Sequence, residues 1–139
     1  TCFGQISEPN AREIASLLKV DEDIAKLPNG FDTFLKGDDT DSIPPGLKQR
    51  ISIVRALAPK PRIILFDNAD VSLDRQGYAM TYSLLARLKG KASMVLISDD
   101  LNIKNLADTF YVLTDQTLKQ IQGNNAPSGN VKPYRELNL

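Results

Sequence analysis

Apolar positions along this chain keep two different rhythms. From Ala11 to Val20 they recur at helical spacing, with Ile14, Leu17 and Leu18 on one face and Glu8-Pro9-Asn10 as a start signal. Asp21 is expected to cap a short turn carrying Ile24 and Leu27, which Pro28-Asn29-Gly30 stops. A second helical stripe runs through Leu47, Ile51, Val54 and Ala58 behind Pro44-Pro45-Gly46. Proline near N1 suits a helix start, because the N–H it lacks has no intrahelical partner there. Then the rhythm changes. Arg62 to Phe66 is short, apolar and fenced by Pro61 and Asp67-Asn68, the pattern of a buried strand. Asp74 is placed to cap a helix with Met80, Leu84, Leu85 and Leu88 on its apolar face, ended by Lys89-Gly90. Met94 to Ser98 reads as a second buried strand and Leu101 to Ala107 as a short helix. Phe110 to Leu113 and Leu118 to Ile121 read as a hairpin split by Thr114-Asp115-Gln116.

Strand, helix, strand, helix after Pro61 is the rhythm of a parallel sheet, so the fold class is α/β with an N-terminal helical lobe. The expected division is a helical part over residues 1–58, an α/β part with a C-terminal hairpin over 59–122, and a loosely held Gly/Asn/Pro/Ser-rich tail over 123–139. Composition adds exclusions. The 139 residues carry 17 basic and 17 acidic side chains, so net charge gives no general pull toward nucleic acid or anionic membrane. The absence of histidine removes Ser-His and Cys-His nucleophiles and His-ligated metals. A lone Cys2 cannot form an internal disulfide, which fits a reducing compartment. The apolar runs are far too short to span a bilayer, so the chain itself reads as soluble. It opens on Thr1 rather than methionine, which reads as a piece of something longer.

In an open parallel sheet, ligands gather at the carboxyl ends of the strands. Here those ends carry Asp67-Asn68 and Ser98-Asp99-Asp100. A carboxylate at such a place suits a hydrated Mg²⁺ shared with phosphates, but each of these groups can equally cap the next helix. A phosphate loop of the form G-x-x-x-x-G-K-[ST] is missing; Gly90-Lys91 is the only Gly-Lys pair.

The order of the remaining motifs is specific. Leu27 to Thr33 (LPNGFDT), Ile43 to Leu57 (IPPGLKQRISIVRAL), Pro61 to Asp74 (PRIILFDNADVSLD) and Met94 to Leu101 (MVLISDDL) follow one another over most of the chain. This series resembles the later half of the nucleotide-binding domain of ABC exporters, most closely the bacterial type I secretion kind. The family pattern is LP-x-G-x-DT, then LSGGQ-x-QR, then a strand ending in Asp-Glu, then SLD, then a strand ending in a switch histidine. The resemblance implies part of a P-loop NTPase-like core, with its phosphate-loop strand absent. It implies a sandwich dimer that holds Mg-ATP between one subunit's phosphate loop and the other's signature helix. It also implies a transmembrane domain and a second nucleotide-binding domain as partners, no nucleic acid, and a place on the cytoplasmic side of the bacterial inner membrane. The family's phosphate loop, adenine-stacking aromatic and glutamine loop precede the LP-x-G-x-DT segment and have no counterpart here; Gln5 is too close to Leu27 to serve.

Carried over residue by residue, the resemblance places Asp67 at the Mg²⁺-positioning aspartate, and Gly46, Ser72 and Asp74 in nucleotide- and dimer-contact segments. The departures are as informative. Pro44 and Pro45 stand at a serine and a glycine of the signature, removing a hydroxyl and two N–H donors, and Leu47 replaces its glutamine. Each lost charge-assisted bond is worth about 1.5–3 kcal/mol. Asn68 occupies the catalytic glutamate's position; loss of a general base costs about 10²–10⁴-fold in rate. Asp99 stands at the switch histidine, where a carboxylate about 4 Å from phosphate is repelled by about 4 kcal/mol. No catalytic residue is then intact. Gly37-Asp38 falls where exporters have a loop touching the membrane domain. The bland readings are an N-cap at Asp74, an acidic solvated loop at 37–42, a solvated face for Lys48 and Arg50, and a carboxylate pair for Arg55.

The expectation is therefore a degenerate exporter nucleotide-binding domain, or a piece of one, with Mg-ATP in the intact family and no tight cofactor for this chain alone. The alternative is a non-catalytic module docking to a membrane domain or sister subunit. An unrelated third is a phospho-acceptor domain with Asp67 as acceptor and Asp99-Asp100 as metal ligands; it lacks the late-strand lysine and has its acidic pair out of order.

Overall fold

The computed structural model describes residues 8–34 and 43–121. The loop expected over 37–42 and the tail expected over 123–139 lie outside those residues. Helices α1 (Glu8–Leu17) and α2 (Val20–Ala25) and a 3₁₀ turn (Gly30–Asp32) come first. Then follow α3 (Pro45–Leu57), β1 (Ile63–Asp67), α4 (Arg75–Leu88), β2 (Ser93–Ile97), α5 (Leu101–Lys104), β3 (Phe110–Thr114) and β4 (Thr117–Ile121).

The helix read over 11–20 runs instead over Glu8–Leu17, and the short turn read after it is helix α2, with Lys19 rather than Asp21 at its N-cap. Lys19 adopts φ 51° and breaks the run after Leu18. A non-glycine residue there costs about 1–2 kcal/mol. The bend lets Leu18 and Val20, at 0% and 3% exposure, enter the same core, and burying each contributes about 1.5–3 kcal/mol. Tertiary packing thus overrides local preference. Helix α3 starts at Pro45, with Pro44 as its N-cap residue. Its buried face is Leu47, Arg50, Ile53 and Leu57, so Arg50, read as solvated, lies in the interior.

Strands β1 and β2 pair in parallel, with Ile63 opposite Ser93 and Asp67 opposite Ile97. Helix α4 connects them. Asp74 caps it, accepting from the Gly77 N–H at 2.6 Å, and Gly90 at φ 77° follows its end. The two strands are not buried on both faces, as the apolar runs suggested. Ile64 and Phe66 point into the core, while Ile63, Leu65, Val95 and Ile97 are 52–75% exposed. Helices cover one side only among the described residues. The β3–β4 hairpin turns at Asp115-Gln116, both at positive φ, which is the backbone of a type I′ turn.

Two apolar clusters hold the molecule together. The larger joins Leu18, Val20, Ile43, Leu47, Ile53, Leu57, Ile64 and Leu84, drawing from both sides of residue 58. The smaller joins Phe66, Leu85, Ile103 and Leu106, with Tyr78 and Tyr82 packed against it.

Candidate functional site

The register of β1 and β2 sets the sequence-derived residues into two groups. The first is the rim at the strands' carboxyl ends. The Asn68 N–H donates to the Ile97 carbonyl at 2.8 Å, so Asp67-Asn68 and Ser98-Asp99 emerge side by side. Asn68 sits at φ 46°, a region that asparagine tolerates better than most residues. Its amide donates to its neighbour, the Asp67 carboxylate, at 3.1 Å. The Asp99 side chain is fully exposed and lies 3.8 Å from the Lys104 ammonium.

Behind the rim runs a polar chain that the sequence reading missed. The Ser98 hydroxyl donates to Asp70 at 2.9 Å and accepts from the Asp100 N–H at 3.0 Å. Asp100 caps α5 through the Asn102 and Ile103 N–H groups and accepts from the Tyr78 hydroxyl. Burial pushes the Asp100 carboxyl up, but these donors, led by the Tyr78 hydroxyl, outweigh it and hold the group below the usual carboxylate range. The other Asp70 oxygen is buried without a hydrogen-bond partner. Among the described residues no three carboxylate or cysteine groups lie close enough to hold a metal.

The second group is the start of α3 against the loop after β1. Gly46 lies against residues 72–74. A Cβ added to it would come within 3.3 Å of the Ser72 carbonyl oxygen and 3.5 Å of the Asp74 nitrogen. The Leu47 and Lys48 N–H groups both donate to the Pro44 carbonyl, at 3.0 and 3.1 Å. Pro44 and Pro45 have no N–H. Of the N–H groups in this first turn, that leaves the one on Gly46. An open cleft of about 630 Å³ lies here, walled by Lys26, Leu27, Pro44, Pro45, Val71 and Leu73.

Arg50 holds this corner together. Its guanidinium donates to the Leu18 carbonyl at 2.9 Å and pairs with Asp23 at 2.7 Å, with its side chain 7% exposed. A longer contact of 3.4 Å reaches the Gly46 carbonyl. Lys26 also pairs with Asp23, at 2.8 Å. Hydrogen bonds from Lys26 first, then Arg50, hold the Asp23 carboxyl below its ordinary range. Arg50 also explains Gly77: a Cβ there would meet the Asp74 carboxylate at 2.9 Å and the Arg50 Cδ at 3.2 Å. A signal was present in the sequence, since Arg50 borders the stripe of Leu47, Ile51, Val54 and Ala58, three residues after Leu47 and four before Val54.

No family model matches the chain. It is 33% identical over 115 residues to multidrug resistance protein pgp-1 of Caenorhabditis elegans, which covers 83% of this chain and 9% of that protein. It is 32% identical over 111 residues to the ABC multidrug transporter mdr4 of Aspergillus fumigatus, covering 78% of this chain and 8% of the other. The chain thus spans less than a tenth of the length of these relatives. In structure it resembles a bacterial Atm1-family ABC exporter with ATP bound, at TM-score 0.70 and 29% identity, over 82% of this chain and 20% of the exporter chain. No helix among the described residues is long and apolar enough to cross a membrane. By sequence and by structure alike, the chain is related to one segment of the ABC transporter family.

Proposed function

We propose that this chain is the signature-bearing part of an exporter's nucleotide-binding domain in which the groups that grip and split ATP have been replaced. The observation that carries this reading is the first turn of α3. Two N–H groups are absent at Pro44 and Pro45, that of Leu47 is taken by the Pro44 carbonyl, and a Cβ on Gly46 would come within 3.3 Å of the Ser72 carbonyl oxygen. A helix start binds phosphate through free N–H groups, and this one offers almost none. The residues present do not fit an ATP phosphate.

The strand ends support the same reading. The Asn68 side chain is neutral and donates to Asp67 rather than standing ready to take a proton from water. The exposed Asp99 carboxylate adds negative charge where a phosphate would need donors. Asp67 remains the group suited to Mg²⁺, as one carboxylate among phosphate and water ligands supplied from elsewhere. The bare face at Ile63, Leu65, Val95 and Ile97 accords with a sheet completed by further polypeptide in the intact transporter, since parallel sheets are covered on both faces. Membrane-domain and sister-subunit partners, a cytoplasmic setting and kinship to type I secretion exporters belong to this proposal.

A second reading, docking without nucleotide, is favoured by Phe31 and Phe34. They stand 69% and 80% exposed beside the helical lobe, where large apolar side chains fit a protein partner. Calorimetry separates the chain from a working domain: no Mg-ATP binding is expected, and micromolar binding by residues 1–139 overturns the proposal. Within the whole transporter, Asn68→Glu with Asp99→His, Pro44→Ser and Pro45→Gly is expected to raise ATPase activity if the machinery merely lapsed. No gain favours docking.

A further inference from the structure

The formal charge of zero is a cancellation between separated blocks. Residues 43–66 carry five basic and no acidic side chains, residues 67–74 three acidic and no basic, and residues 75–98 four basic and no acidic. The fold converts this pattern into a polarity in space. Because β1 and β2 run parallel and in register, their carboxyl ends collect Asp67, Asp70 and Asp99 while their amino ends collect cations. The Ser93 N–H donates to the Arg62 carbonyl at 2.9 Å, and Lys89 bridges in parallel to Ala92. This pairing puts Lys60 and Arg62, which lead into β1, at the same end of the sheet as Lys89 and Lys91, which lead into β2 from the last turn of α4 and its Arg87. The side chains of Lys60, Arg62, Arg87 and Lys91 are exposed.

We propose that this basic rim is a docking surface for an acidic segment of a polypeptide. It lies at the opposite end of the strands from the candidate site, and does not rest on the reading given for that site. Lys89 shows the kind of contact meant, since it already holds a carboxylate, Asp108, at 2.8 Å. Residues 55–65 and 83–93 contain no aromatic side chain. The rim therefore offers no stacking platform for nucleic-acid bases. Its lysines supply flexible point charges and Arg62 and Arg87 planar forks that match carboxylates two oxygens at a time, a set suited to an acidic extended chain.

The test uses the full chain and a fluorescein-labelled glutamate-rich peptide, followed by fluorescence anisotropy. Binding is expected at about 0.01 M ionic strength, weakening at least ~10-fold by about 0.15 M as the screening length shrinks from about 30 to about 8 Å. Lys60→Glu with Arg62→Glu and Lys91→Glu is expected to abolish it. Replacing the same three by glutamine is expected to weaken it several-fold with an unchanged circular dichroism spectrum. Arg75→Glu with Lys119→Glu, cations outside the rim, is expected to leave it within about two-fold. Equal binding by the rim variants, no binding at low salt, or tighter binding of a thymidine oligonucleotide or of phosphatidylserine vesicles overturns the proposal.

Discussion

Two neighbourhoods flank the loop from Asn68 to Asp74, and they are built on opposite physical terms. On one side, Arg50 is sunk into the interior with its guanidinium on the Leu18 carbonyl and Asp23. On the other, Asp67, Asn68 and Asp99 stand in solvent with few partners beyond one another. An ion pair in the interior is held by geometry, because removing either partner leaves the other desolvated. An exposed rim is free to vary, because water replaces whatever a substitution removes. Arg50 thus ties α3 to α2 and to the turn before it, while the positions expected to carry chemistry are the ones whose replacement costs the structure least.

Breaking the tied side is expected to have the largest effect. Arg50→Ala should destabilise the chain by about 3 kcal/mol, at the lower edge for a buried pair because Asp23 keeps Lys26; urea unfolding reads this directly. Next is Asp100→Ala, which removes the α5 cap and the Tyr78 partner together. A loss of about 1–2 kcal/mol is expected at pH 7. The same variant sharpens the comparison in acid. Asp23 and Asp100 are both held below the ordinary carboxylate range, so the unfolded chain takes up protons first. Their stabilisation is complete above the unfolded value near ~3.9 and is lost as pH falls through the lower folded values. Asp100→Ala should flatten that acid limb. Asp74→Ala, which removes the cap on the Gly77 N–H, should cost about 1 kcal/mol. Asp99→Ala comes last: no measurable change in the unfolding midpoint is expected, and a large one would erase the distinction between the two sides.

Much of the α/β part could be read from the sequence. Asp74 caps α4, β1 and β2 fall within a residue or two of the apolar runs, and the hairpin turns where Asp115-Gln116 suggested. What escaped has definite causes. Ile63 to Phe66 is apolar at every position, so its pattern cannot say whether one face or two is covered. Lys19 has no local reason to adopt a left-handed backbone; the burial of Leu18 and Val20 beyond it imposes one. The charge of Arg50 points to solvent, while its place beside the apolar stripe and a partner 27 residues away draw it inward. At the site, residue identities were plain, but the bond from the Leu47 N–H to the Pro44 carbonyl and the Asp70–Ser98–Asp100–Tyr78 chain depend on distances that no motif records.

The contact between Gly46 and the Ser72 carbonyl has a mechanical consequence. With no side chain as a spacer, the head of α3 and the strand-to-helix connector interlock backbone to backbone. Alanine in place of Gly46 would have to push the connector back by a few tenths of an ångström, so the closeness of the two segments is set by a single missing methyl group.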